Sequence, residues 1–407
     1  MQVSGASTRK AYLGGTHRVR APADTVEWAM ERAPRVGITR VANVTGLDHL
    51  GVPVVMVVRP NSRCVSVAQG KGIDLDSARA SGLMESIEAH HAETVELPTR
   101  MASYAELRRR ERVADPTSLA RPVASRFSPE VRLPWVSGRS LGTGDAVWVP
   151  LETVEIDATL PAAYLKGCFH LTSNGLASGN HLLEAIAHGL FEVVERDAMQ
   201  RWARRPDRAD TRIDLDAVED PLTRSLLDRL DAADVALAAW DATSDIGIPC
   251  VHVTMIDRHA QPFRRVYPSQ GQGCHHDSRV ALLRAITEAA QARLTWIAGS
   301  RDDLSRSTYQ TARASDHLDR VRTEIADESR PRLDPTSMPQ HVHATLEDDV
   351  AAALAAITAA GADDPIVVDL TKPELGVPVV KVIAPGLAGD RDLGDSLPMP
   401  PGRRADT

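Results

Sequence analysis

No stretch of the 407-residue chain reaches the run of about 18 apolar residues that a membrane span needs, and the opening MQVSGASTRKAYLGGTHR has no apolar core of a secretory signal. A transmembrane or secreted protein is therefore not expected, and the cytoplasm is the expected compartment. Cysteine is scarce. Cys64, Cys168, Cys250 and Cys274 stand far apart and form no CxxC, which argues against a thiolate metal site or a disulfide framework and leaves reduced, mostly buried thiols. Positive charge is in deficit: 47 Lys and Arg against 55 Asp and Glu leave a formal net charge of -8. Such a chain has no global attraction for nucleic acid or an anionic membrane. The one dense basic run, Leu107–Arg112 (LRRRER), contains its own Glu111 and reads as a solvated helix face. The common nucleotide signatures are missing as well. There is no GxxxxGK[ST] loop, GKG at Gly70–Gly72 lacks both the spacing and the Ser/Thr, no GxGxxG opens a helix after a strand, and there is no HRD/DFG pair.

What is present is a sizeable core and a repeat. Hydrophobic residues make up 43% of the chain, enough for one large or two ordinary domains. Thr45–Val58 (TGLDHLGVPVVMVV), Thr243–Val253 (TSDIGIPCVHV) and Thr371–Val382 (TKPELGVPVVKV) share one plan. Each has Thr, a short polar turn, an aliphatic residue, then Gly-Val/Ile-Pro and an alternating β-branched run. That pattern predicts a turn entering a strand, with Pro53, Pro249 and Pro378 at the first strand position.

Three predicted helices repeat too. Ser77–Glu93 carries Ser81, Glu85 and Glu88; SNGLASGNHLLEAIAHGLFEVVERD, Ser173–Asp197, carries His188, Glu192 and Glu195; Ser278–Leu294 carries Arg284, Glu288 and Gln291. The i, i+4, i+7 spacing puts each triple on one helix face. In the second helix Asn180 and Glu184 extend the stripe, and Arg196 is the only basic residue near it. Each helix follows a glycine-bearing segment, QGKG, GLASGN or GQG, that reads as a loop. The expected architecture is mixed α/β or α+β, one large domain whose strands form a sheet and whose helices turn polar stripes toward a common space. The segments 97–131, 203–233 and 302–352 read as helical or loop insertions, 1–36 as a partly ordered N-terminal segment, and 390–407 as an extended tail containing Pro398, Pro400 and Pro401.

Glutamates converging on one cavity raise each other's pKa values, and bound cations relieve them. Oxygen ligands without a Cys or His array favour Mg²⁺, which adds substrate phosphates to its shell. Arg196 or Arg284 would then meet phosphate oxygens. The parts describe a Mg-nucleotide site, and the competing chemistry is a two-metal hydrolase. His188 reads as a satisfied, partly buried histidine, the pairs His90/His91 and His275/His276 as structural or loop residues, and Cys168 and Cys274 as small buried hydrophobes; Lys71 is either a phosphate contact or a surface lysine.

SGLMESIE at Ser81–Glu88, SNGLASGNHLLEAIAHGLFEVVERDA at Ser173–Ala198, RAITEAAQAR at Arg284–Arg293 and DLTKPELGVPVVKVIAPGL at Asp369–Leu387 resemble the YcaO family, ATP-dependent enzymes that activate peptide backbone amides. The resemblance implies a YcaO catalytic domain over 37–389. It also implies that Ser81, Glu85, Glu88, Asn180, Glu184, Glu192, Glu195, Arg196, Arg284, Glu288 and Gln291 bind ATP and Mg²⁺, with Glu85, Glu88, Glu184, Glu192, Glu195 and Glu288 as the metal ligands. In that family the amide oxygen takes the γ-phosphate. A neighbouring Cys, Ser or Thr then gives an azoline, external sulfide a thioamide, and an internal amine an amidine. GTHR at Gly15–Arg18 and GITRVANVTGLDHLGVPV at Gly37–Val54 are similar to stand-alone members that work beside a TfuA-type partner, a subgroup associated with thioamidation. The expected partners are thus a ribosomal precursor peptide or protein, a TfuA-like protein, a sulfur donor and a second copy in a homodimer. Met1–Pro34 is too short for a separate peptide-recognition domain, so recruitment is expected from another chain or the core surface.

Overall fold

The computed structural model describes residues 7–259, 266–301, 306–312 and 315–389. In it each copy of the Thr and Gly-x-Pro turn joins two antiparallel strands. Arg40–Asn43 (β3) and Val54–Val58 (β4) flank the first copy, Val235–Asp241 (β10) and Cys250–Asp257 (β11) the second, Ile366–Asp369 (β13) and Val379–Ile383 (β14) the third. Gly51, Gly247 and Gly376 take φ of 68°, 75° and 63°, the left-handed region that glycine enters without strain. The hydroxyls of Thr45, Thr243 and Thr371 accept from the N–H of Val54, Cys250 and Val379 at 3.2, 3.1 and 3.3 Å. The threonine N–H groups donate in turn to Asn43, Asp241 and Asp369, Asx turns that stop the first strand of each pair. Each proline lies one residue before its strand, and its carbonyl accepts from Gly72, His275 or Gly179.

A third strand and a helix complete each unit. These are Val67–Lys71 (β5) with Leu75–Glu93 (α2), Ser269–Cys274 (β12) with Ser278–Ala298 (α6), and Leu176–Ser178 (β9) with Leu182–Trp202 (α4). The first two units are continuous in sequence. The third is assembled from β9–α4 in mid-chain and β13–β14 far downstream, joined by β14–β9 pairing. One register holds throughout: Met56 lies opposite Gln69, His252 opposite Gln272, and Lys381 opposite Leu176.

The glycine-bearing segments expected as loops are therefore strands. Glycine is there for closeness rather than turning: a Cβ on Gly70 would lie 1.9 Å from the Ala78 carbonyl oxygen, and one on Gly273 2.0 Å from that of Ala281. The strand lies almost on the helix backbone. The valine pairs Val55/Val57, Val251/Val253 and Val380/Val382 bury against Leu83 and Ile87, Ile286 and Ala290, and Leu190 and Val194 respectively. That apolar packing fixes how each helix rolls on its sheet, and so where its polar stripe points.

Two sheets have three strands, in the orders β3-β4-β5 and β10-β11-β12. The third has six, because Thr99–Ser103 (β6), Arg132–Ser140 (β7) and Ala146–Pro150 (β8) continue it beyond β13. Strand β6 falls in the segment 97–131, expected as helix or loop. Its first three residues are exposed, so it lacks the apolar alternation that would have marked a strand and is held by backbone pairing to β7. A helical turn, Tyr104–Leu107 (α3), follows under a Ser103/Glu106 capping box. The remaining helices clothe the units: Pro221–Ala232 (α5) and Ser315–Ala326 (α8) on β10 and Leu346–Ala359 (α9) on α4, while Arg306–Ala312 (α7) falls between α6 and α8 in the chain. At the N-terminal side Ala11–Tyr12 (β1) and His17–Arg18 (β2) form a hairpin, and Pro22–Met30 (α1) packs on α2. The proline-containing tail, 390–407, lies outside the described residues.

Each main helix also touches the third strand of another unit: α2 meets β9, α4 meets β12, and α6 meets β5. The three units thereby close a ring, with the three polar stripes inside it.

Candidate active site

The helix starts set the register of the stripes. Asp74, His181 and Asp277 cap α2, α4 and α6 with side-chain bonds to backbone N–H groups, and Ser81, His188 and Arg284 follow at the same distance from their caps. A single cavity of about 1080 Å³ is lined by Ser81, Glu85, Glu88, Asn180, Glu184, Glu192, Glu195, Arg196, Arg284, Glu288 and Gln291. Every residue expected at the site is thus in one place.

The cavity is electrostatically uneven. Burial pushes Glu85 up to about 7, only partly offset by Lys71. Burial, then Glu192 and Glu85, raise Glu88 well above the carboxylate range against a hydrogen bond to Ser178. Glu192 is pushed up to about 7 by burial and by Glu195, and Glu195 is raised by burial and Glu288, with Arg196 opposing in both. Glu288 differs: burial would raise it, but Lys71, Arg196 and Arg284 outweigh burial and leave it lowered. Lys71 Nζ lies 2.5 Å from Glu288 Oε2, and the Gln272 N–H donates to Oε1 at 3.3 Å.

Contacts between units hold the stripes in place. Arg196 donates to the Gln272 side chain and lies 3.4 Å from Glu195; Gln291 donates to the Gln69 carbonyl; Ser178 donates to the Met84 carbonyl at 3.4 Å. Arg284 donates to His188 Nε2 at 3.0 Å, so His188 is satisfied, and burial with the surrounding cations keeps it neutral by pulling its pKa well down. Glu184 is in the cavity but engaged. It accepts from the Val19 N–H at 3.1 Å and from the Asn180 side chain at 3.2 Å, and it pairs with Arg18 at 3.6 Å. That makes it a tether for the N-terminal segment.

The histidine pairs do other work. His91 bonds the Ile87 carbonyl and His276 that of Asp349, while His275 stacks on His17. Cys168, Cys250 and Cys274 are buried free thiols and Cys64 an exposed one.

Several lining residues carry no helical signal and were missed. Gly14, Gly15 and Thr16 at the hairpin tip, then Arg18 and Arg20, enter the cavity from the N-terminal side. The hairpin is clasped to α9 by Lys10 on Asp349 and by the Thr8 N–H on Glu347. GTHR was a visible motif, but nothing local says which space it faces. Gln69, Gln272 and Ser178 come from third strands, where they read as loop polarity. Outside this cavity, Lys381 on β14 is 1% exposed, donates to the Thr172 carbonyl and lines a smaller cleft with Thr172, Asn174 and Leu387. Burial lowers it to about 8, against Glu192 and Glu88, which raise it. Its place in a β-branched run suggested a strand and nothing more.

Residues 69–388 match the family model described as YcaO cyclodehydratase, ATP- and Mg²⁺-binding. The chain is 37% identical over 384 residues to a Rhizobium leguminosarum bv. trifolii protein of the tfuA 3′ region, covering 92% of this chain and 89% of that one. It belongs to the YcaO family, and its cofactors are ATP and Mg²⁺. Among solved structures it is similar to the YcaO protein of Methanopyrus kandleri bound with AMPPCP and Mg²⁺, with TM-score 0.75 and 24% identity over 97% of this chain and all (100%) of that one. A heterocyclase in complex with substrate and cofactor gives TM-score 0.79 and 23% identity over 95% of this chain, which spans 54% of that longer protein. At these identities both likenesses show the fold alone. Among the described residues no helix is long and apolar enough to cross a membrane.

The cavity suits the cofactors. Four of its carboxylates are raised by burial and, for Glu88, Glu192 and Glu195, by a neighbouring carboxylate, a strain that divalent cations remove. Arg18, Arg20, Lys71, Arg196 and Arg284 line the same cavity and are the donors a polyphosphate requires.

Proposed function

We propose that this YcaO enzyme thioamidates a backbone amide of a ribosomal peptide or protein, taking sulfur from an external donor and working with a TfuA-like partner. ATP supplies the phosphoryl group that turns the amide oxygen into a leaving group, and incoming sulfide replaces that oxygen as phosphate departs. Glu85, Glu88, Glu192, Glu195 and Glu288 hold Mg²⁺. Arg18, Arg20, Arg196 and Arg284 bind and orient phosphate oxygens; Ser81, Asn180 and Gln291 take polar contacts to the nucleotide. Glu184 secures the N-terminal segment that brings Arg18 into the cavity. The observation that carries the ATP-dependent reading is the meeting of buried carboxylates and guanidinium groups in one cavity.

The sulfur outcome is supported by the tfuA-region relative at 37% identity. Cyclodehydration of Cys, Ser or Thr to azolines is the second reading, favoured by the family description. Mass spectrometry of a candidate peptide incubated with the chain, ATP, Mg²⁺, sulfide and the partner separates them. A gain of about 16 Da is expected for oxygen-to-sulfur exchange, and a loss of about 18 Da would replace that reading with cyclodehydration. The chain alone is expected to modify the peptide poorly. Robust modification without the partner would remove the partner from the proposal.

A further inference from the structure

Two guanidinium groups lie on the ring of Trp28 in α1: Arg20 at 4.6 Å from its centroid and Arg32 at 4.8 Å. They are alike at the ring and differ in everything else. The N–H groups of Arg32 are engaged in structure. They donate to the Trp28 and Leu375 carbonyls, both at 2.7 Å, and to Glu31 at 3.1 Å. Leu375 lies in the turn between β13 and β14, so Arg32 bolts the ring to the third unit. Arg20 instead lines the main cavity, and among the described residues its partner is the face of Trp28.

A guanidinium donates hydrogen bonds in its own plane, so stacking by the face fixes its place and leaves its N–H groups for a ligand. Arg18, by contrast, already meets Glu184 at 3.6 Å and the His17 carbonyl at 3.3 Å. The local backbone suits the stack. Ala21 is extended, with φ -64° and ψ 148°, and Pro22 opens α1, so the chain turns after Arg20 and its side chain lies back along the helix. Thr25, three residues before Trp28, is buried and donates to Asn180 Oδ1 at 3.1 Å. The helix is thus fastened near its start to a cavity residue and beyond its end to the third unit's turn.

We propose that Trp28 is a positioning residue for ATP: its ring, bolted through Arg32, holds Arg20 in the cavity with in-plane donors ready for phosphate oxygens. This rests on the Mg-ATP reading, in which Arg20 meets phosphate, and names the side chain that puts it there.

The test is Mg²⁺-AMPPCP binding by the full chain, measured by calorimetry in a double-variant cycle. Trp28→Leu keeps an apolar side chain and removes the π face, and it is expected to weaken binding about five- to tenfold. Arg20→Gln should weaken it at least as much, and Trp28→Leu added to Arg20→Gln should change it by less than about twofold. Trp28→Phe keeps a π face and should stay within about threefold of wild type. Equal losses from Trp28→Leu with and without Arg20→Gln overturn the inference, since the ring would then support α1 and not Arg20. A Trp28→Phe chain that binds no better than Trp28→Leu overturns it too. Should Trp28→Leu fail to fold, Arg32→Met decides: binding should weaken about threefold beside Arg20 and stay unchanged in the Arg20→Gln background, and the same result in both overturns the proposal. Wild-type protein that does not bind Mg²⁺-AMPPCP would sink the ATP reading itself, whereas binding indifferent to Arg20→Gln sinks this inference alone.

Discussion

Glu85 on α2 and Glu288 on α6 stand at the same distance from their helix caps, in two copies of one unit, yet burial pushes Glu85 up to about 7 while Glu288 is lowered. The backbone is shared and the surroundings are not. Glu288 follows Arg284 on its stripe, holds Lys71 and accepts the Gln272 N–H. Glu85 follows Ser81 and precedes Glu88, so its stripe adds charge of its own sign. One scaffold thus builds two walls. The α2 and α4 stripes carry the four raised carboxylates and suit metal, while Lys71, Arg284 and the N-terminal arginines add positive charge beside the α6 stripe and suit phosphate. This division of labour is what the repeat makes possible, since a single helix cannot face both ways.

The largest effect should come from neutralising the metal wall. Glu85→Gln and Glu192→Gln are each expected to lower Mg²⁺-dependent ATP turnover by about a hundredfold or more, while thermal unfolding without metal stays at or above that of wild type because a strained buried charge is removed. Unfolding of both variants, or full turnover in either, would break the contrast between the walls.

A second experiment addresses the premise that the units share a backbone. Gly70 and Gly273 are equivalent, and a Cβ on either would collide with the helix carbonyl at 1.9 or 2.0 Å. Gly70→Ala and Gly273→Ala should each cost about 3 kcal/mol by chemical denaturation, since strand and helix must part. The equivalent third-unit residue is Ala177. The helix glycine of that unit, Gly189, sits instead against Val382 and the Gly175 carbonyl. Costs below about 1 kcal/mol at both glycines would mean that the strand and helix are less closely packed than the shared register implies.

Much of this was legible in the sequence. The Thr and Gly-x-Pro turn has local causes, a left-handed glycine and two short hydrogen bonds, so three copies were visible as text. The acidic triples were visible because helical spacing is local too. What escaped reading depends on distant partners. QGKG reads as a loop until α2 is laid on it, β6 is held by β7 rather than by its own pattern, and the third unit joins Leu176 to Lys381 across most of a domain. Arg18 and Arg20 were missed at the site for the same reason: a lone cation in or beside a hairpin does not say what it faces.

The pH dependence of metal stabilisation sharpens the comparison further. Glu85 and Glu192 have folded-state pKa values near 7 against 4.5 for an ordinary carboxyl. Between these values the folded chain binds more protons than the unfolded one, so the contribution of these groups to metal-free stability is greatest below about pH 4.5 and falls as pH rises through about 7. Divalent metal should remove that loss. The rise in melting temperature on adding Mg²⁺ with AMPPCP should therefore grow from pH 5.5 to pH 8, by a few degrees for a chain of this size. The growth should shrink in Glu85→Gln. A Mg²⁺ effect that is flat across this range would mean the wall is already neutralised without metal.

The smallest effect is expected at Lys71, and it asks whether the two walls differ by little more than their cations. Lys71 comes from the third strand of the first unit but rests on Glu288 of the second, and it is the first cation to oppose burial at both Glu85 and Glu288. Lys71→Met leaves Arg196 and Arg284 near Glu288, so the phosphate wall keeps most of its charge. The KM for ATP should rise only a few-fold, with kcat within a factor of about three. Glu288 should meanwhile come to resemble Glu85. The pH-dependent part of the Mg²⁺ stabilisation is expected to increase, opposite in sign to the change in Glu85→Gln. A large fall in kcat, without that increase, would place Lys71 on the transferring phosphate instead and make the first unit's strand a part of the phosphate wall.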